Sequence, residues 1–154
     1  MSTVRAHIEI GAPPGTVFDA MLDPERLEEW VTIHRSLDHA DAGGVREGYR
    51  MRQTLVLRGA PFKVNWTLTR CDRPREATWE GEGPGGSYAR TTYQLSETDT
   101  GGTRFDYENE YRVPGGRFGA MASRALVGGT SEREAIKSLH RLKRLLEASD
   151  ALLT

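Results

Sequence analysis

The chain has 154 residues, a formal net charge of −1 and one cysteine, Cys71. A chain of this length is expected to form one domain, spanning residues 1–154, that buries roughly 68–70% of its unfolded surface, so its core needs neither disulfide nor metal. The near-neutral balance gives no electrostatic argument for nucleic acid, and no run reaches the roughly 18 apolar residues needed to span a bilayer. One cysteine, and a start from Met1 to His7 without a signal-like apolar stretch, fit a cytoplasmic protein.

Val4, Ala6, Ile8 and Ile10 alternate with Arg5, His7 and Glu9, which predicts a first strand. The stretch from Gly11 to Gly15 ends it, and Pro14 or Thr16 opens a helix with Val17, Phe18, Met21 and Leu22 inward. Asp23 caps a second short helix that begins at Pro24 and presents Leu27, Trp30 and Val31.

A run of strands follows. Ile33 to Asp41 is a weak one, closed by Gly43 and Gly44. From Tyr49 to Leu57, Tyr49, Met51, Gln53, Leu55 and Leu57 share one side, with Arg50, Arg52, Thr54 and Arg58 on the other. Gly59, Ala60 and Pro61 read as the turn into Val64, Trp66 and Leu68. Asp72, Arg73 and Pro74 turn into a strand from Ala77 to Gly81, and a glycine-rich loop from Gly83 to Gly86 precedes another from Tyr88 to Leu95. Thr98 to Gly102 is a hairpin signal. The last strand, Arg104 to Val113, has the cleanest alternation. Phe105, Tyr107, Asn109, Tyr111 and Val113 fall on one face, and charged residues occupy the other. One face is covered and one is wet.

After Pro114 the period becomes helical: Phe118, Met121, Ala122, Ala125 and Leu126 share a face. Gly128 and Gly129 interrupt it, because paired glycines weaken a helix by roughly 1 kcal/mol each. Ser131 to Glu134 is a capping box that restarts a helix with Ala135, Ile136, Leu139, Leu142 and Leu146 inward. Strand, two short helices, six strands and a long terminal helix make an α+β order with one economical solution. An antiparallel sheet of about seven strands curls around the terminal helix and leaves a space beneath it.

The segments from Ala12 to Phe18 and from Asp23 to Trp30 resemble the opening of the START/Bet v 1-like superfamily, and more narrowly its bacterial polyketide cyclase/dehydrase and lipid-transport group. Cys71 to Gly81 resembles that group's mid-sheet turn and strand. Phe105 to Gly116 and Ser138 to Lys143 resemble its last strand and helix. The resemblance implies the helix-grip fold and a ligand held in a cavity under the terminal helix. It implies no single activity, because one fold hosts many functions.

No metal or cofactor is implied. His7, His34, His39 and His140 are scattered, and His34 and His39 are five apart, which suits neither a helix face nor a strand face. Arg70 and Arg73 beside Cys71 would lower its pKa, but no base is placed for it; the plainer reading is a partly buried spectator thiol. The inward polar residues are Gln53, Thr91 and Asn109. Each needs a partner, either within the protein or on a ligand, because an unpaired amide costs on the order of 1–3 kcal/mol. The candidate ligand site is therefore Gln53, Trp66, Thr91, Tyr93, Phe105, Tyr107, Asn109 and Tyr111 from the sheet, with Phe118, Met121, Ala122 and Ala125 from the helix.

Three function classes follow. The first is a binder or carrier of a small hydrophobic or aromatic molecule. The second is a cyclase, aromatase or dehydratase, and the third is a partner-binding module of the ubiquinone- or chaperone-associated kind. The carboxylates and arginines of the strands point outward, so no acid or base is visibly placed inside. That ranks the carrier first.

Overall fold

The computed structural model describes residues 2–112 and 130–153, with side chains for 2–112 and 132–148. Strand β1 (Ser2–Ile10) leads into helix α1 (Pro14–Leu22), a 3₁₀ turn (Pro24–Arg26) and the single-turn helix α2 (Leu27–Trp30). The remaining strands are β2 (His34–Ala40), β3 (Arg50–Leu57), β4 (Ala60–Asp72), β5 (Glu76–Glu82), β6 (Tyr88–Glu97) and β7 (Thr103–Arg112). Helix α3 (Thr130–Leu153) closes the described chain. All neighbouring strands pair antiparallel, in the order β1-β7-β6-β5-β4-β3-β2. This is the helix-grip arrangement: a curved seven-stranded sheet against a C-terminal helix, with the short helices following β1.

Local chemistry sets the boundaries. Pro13 and Pro14 open α1, and the Asp23 side chain accepts from the Glu25 N–H at 3.0 Å, capping the 3₁₀ turn. The β3–β4 turn is Arg58–Gly59, one step earlier than the glycine-proline signal suggests. Both residues have positive φ, 50° and 78°, and that geometry matches the twist of a two-residue hairpin. Ala60 and Pro61 are already in β4, opposite Leu57 and Val56.

The solid core lies at one end of the sheet. Ile10, Val17, Phe18, Leu68, Phe105 and Leu142 are fully buried there. Helix α3 turns Leu139, Leu142 and Leu146 inward, but Ile136 is 41% exposed, at the edge of the stripe rather than on it. A bulge between Leu68 and Arg70 changes the parity of β4, so Cys71 packs against the core. Burial, with Glu47 and Asp72 nearby, pushes the Cys71 thiol up, opposite to the effect expected of its arginine neighbours. The expected break at Gly128 and Gly129 and the capping contacts of Ser131 lie outside the described residues and side chains. Among the described residues no helix is long and apolar enough to cross a membrane.

Candidate functional site

Away from the solid end, sheet and helix enclose a cavity of about 230 Å³. Its wall is mainly apolar: Leu22, Leu27, Met51, Val64, Trp79 and Leu139 contribute from α1, α2, β3, β4, β5 and α3. Half-exposed Ile33, Leu55, Leu57 and Phe62 carry the wall toward solvent. Of the residues named from the sequence, Gln53, Trp66, Thr91, Tyr93, Tyr107, Asn109 and Tyr111 all line it. Phe105 does not. It faces the covered side as alternation requires, but at the solid end, fully buried with its ring 5.4 Å from that of Tyr93. Phe118, Met121, Ala122 and Ala125 lie outside the described residues.

Strand pairing brings the polar groups together. Thr91 and Asn109 are directly opposite across β6 and β7, and the Thr91 hydroxyl donates to Asn109 Oδ1 at 3.1 Å. Tyr93 and Tyr107 are the next such pair, with ring centroids 6.0 Å apart. Burial holds both phenols well above the usual tyrosine range. Neither hydroxyl has a hydrogen-bond partner among the described residues.

Gln53 is more constrained than the sequence suggests. Trp66 Nε1 donates to its Oε1 at 2.9 Å, and its Nε2 lies 2.8 Å from Nδ1 of His34. His34 carries no period-two signal, because the β2–β3 register shifts between His34 and Ser36. Burial lowers its pKa against the opposing pull of Glu28 and Asp38. Gly81 also escaped the site assignment although it carried a readable signal, since glycine inside a strand marks a close approach. A β-carbon there would sit 2.6 Å from Trp66 Cε3.

Helix α3 adds Glu134 and Ser138 to the wall. The Thr32 hydroxyl donates to Glu134 Oε2 at 2.5 Å, and the Thr32 N–H donates to Ser138 Oγ at 3.0 Å. Glu134 Oε1 lies 3.6 Å from Lys137 Nζ. Trp30, also in the wall and 3% exposed, has a buried Nε1 without a partner among the described residues. Among the described residues no group of three His, Cys, Asp or Glu side chains is gathered to hold a metal.

Residues 1–147 match the family model described as polyketide cyclase / dehydrase and lipid transport. The chain belongs to that family. Among curated relatives, the uncharacterized protein Rv1546 of Mycobacterium tuberculosis is 26% identical over 131 residues, covering 83% of this chain and 90% of the relative. Toxin Rv0910 of the same organism is 24% identical, covering 66% and 70%. Among solved structures, TTHA0849 from Thermus thermophilus has a TM-score of 0.76 at 22% identity, covering 96% of this chain and 99% of its own. Protein CV1439 from Chromobacterium violaceum has a TM-score of 0.70 at 19% identity, covering 96% and 99%. At these identities the structures share the fold alone with this family member.

Proposed function

We propose that this protein binds and carries a small, mainly apolar molecule in the cavity between sheet and α3. One observation supports it above the others. The wall combines broad apolar area with a few polar groups, among them phenol hydroxyls without described partners. Ligand sites are built in this way, apolar for affinity and sparsely polar for orientation. The volume of about 230 Å³ is below the roughly 300–1,000 Å³ of drug-sized sites. A compact ring system therefore suits it better than a sterol.

A second reading, a cyclase, aromatase or dehydratase, gains from Glu134, a carboxylate in the wall. Its oxygens face Thr32 and Lys137, so it orients the helix against the α2–β2 connection, and the carrier reading ranks first. Native mass spectrometry of the purified protein, followed by a screen of aromatic polyketides, flavonoids, sterols and fatty acids, tests both. A compact ligand returned unchanged supports carriage, and turnover of it supports the enzyme. No binding by any class refutes the cavity as a ligand site.

A further inference from the structure

We infer that the cavity selects its ligand by hydrogen-bond acceptors, so that it takes an apolar ring system bearing a carbonyl rather than one bearing a hydroxyl or amine donor. This rests on the ligand-binding reading and narrows it.

The inference comes from which polar atoms the protein has already engaged. An indole N–H only donates. Trp66 Nε1, 2.9 Å from the Gln53 amide, therefore fixes the oxygen of that amide toward itself. The amide nitrogen then faces Nδ1 of His34 at 2.8 Å, and that ring nitrogen must accept. Among the described residues Gln53 keeps one amide hydrogen unengaged. Asn109 is arranged in the same sense, with a hydroxyl rather than an indole as the donor. Its oxygen receives the Thr91 hydroxyl at 3.1 Å, and its two Nδ2 hydrogens have no partner among the described residues.

Other groups in the wall add donors. Tyr93 and Tyr107 each offer an O–H, on an oxygen that can also accept. The buried side-chain polar atom without a partner among the described residues is again a donor, Nε1 of Trp30. Of the acceptors in the wall, Glu134 faces Thr32 and Lys137, and those left are hydroxyl oxygens such as Tyr93 and Tyr107 Oη. Both amide oxygens are engaged by the protein, whereas one amide hydrogen of Gln53 and both of Asn109 have no partner among the described residues. A carbonyl oxygen on the ligand completes these N–H donors directly, whereas a ligand hydroxyl that accepts from them must also find one of the few hydroxyl oxygens for its own hydrogen.

Three probes of nearly one shape test this on the full chain: tetralin, 1-tetralone and 1-tetralol, titrated by calorimetry and followed by NMR. The ketone is expected to bind about tenfold tighter than the hydrocarbon, the worth of one net hydrogen bond. The alcohol is expected to bind less tightly than the ketone. Equal affinities, or an alcohol that binds as tightly as the ketone, overturn the inference and leave the binding site standing. Failure of all three to bind overturns the site and the inference together. Asn109→Leu is expected to abolish the ketone preference and keep hydrocarbon affinity. Tyr107→Phe, which removes one hydroxyl and preserves the ring, is expected to reduce the preference and covers the case where the first variant does not fold. A preference that neither variant moves overturns the assignment of the donors.

Discussion

The indole of Trp66 occupies the space above Gly81: a β-carbon at residue 81 would lie 2.6 Å from Trp66 Cε3, 2.7 Å from Cζ3 and 2.7 Å from Val64 Cγ1. The two residues are register partners across β4 and β5, and both line the cavity. The missing side chain of Gly81 thus sets where Trp66 rests, and Trp66 in turn holds Gln53. Gly81→Ala is expected to cost about 1–3 kcal/mol, the usual penalty of overpacking. It is also expected to displace the indole and weaken binding of apolar probes. Thermal melts and the indole N–H resonance of Trp66 check this. An unchanged melt with an unmoved resonance contradicts it.

Gln53 joins Trp66 and His34 in one partly buried chain of hydrogen bonds. Gln53→Leu strands an indole N–H on one side and a ring nitrogen on the other, and is expected to cost about 2–3 kcal/mol. Trp66→Phe alone strands the Gln53 oxygen. In the double variant the two leave no orphan between them, so its cost should fall short of the sum by about 1 kcal/mol. Urea unfolding of the four proteins measures the difference, and strict additivity shows that the two side chains do not cooperate.

The sequence carries direction better than depth. A strand side chain has two choices, so alternation alone turns Gln53, Thr91, Tyr93, Tyr107 and Asn109 toward the covered face. Alternation says nothing of position along the strand, and Phe105 therefore reads like Tyr107 although it lies at the solid end. Bulges remove even direction. The shift after Leu68 brings Cys71 to the core, and the shift after His34 hides the contact of that residue with Gln53, nineteen positions away. The Thr32 contacts with α3 span more than one hundred residues, a separation at which no local pattern operates.

Thr32 ties the α2–β2 connection to α3 beside the cavity, through its hydroxyl to Glu134 and its N–H to Ser138. Thr32→Val keeps the shape and the N–H bond and deletes the hydroxyl. The lost bond is charge-assisted and partly buried, so the expected cost is about 1–2 kcal/mol. Hydrogen exchange should quicken in the first turns of α3 and stay unchanged in β6 and β7. Uniform quickening throughout the sheet would mean that the contact supports the whole fold rather than this junction.

His34 makes part of the stability depend on pH. Burial disfavours its charged ring and, despite Glu28 and Asp38, leaves its folded pKa below the ordinary value of about 6.5. Geometry acts in the same direction, because a proton on Nδ1 would set N–H against the Gln53 amide hydrogens. As pH falls through about 6.5 the unfolded chain takes up this proton before the folded one does. The contribution of His34 is therefore complete above that pH, declines as pH falls toward the lowered folded value, and is constant below it. His34→Asn supplies an acceptor that does not titrate, so the variant should lose this part of the pH dependence between neutrality and the folded pKa of His34. Urea unfolding at several pH values in that range, with NMR titration of the His34 ring, provides the measurement. A ring midpoint at or above 6.5, or identical pH profiles for the two proteins, defeats the prediction.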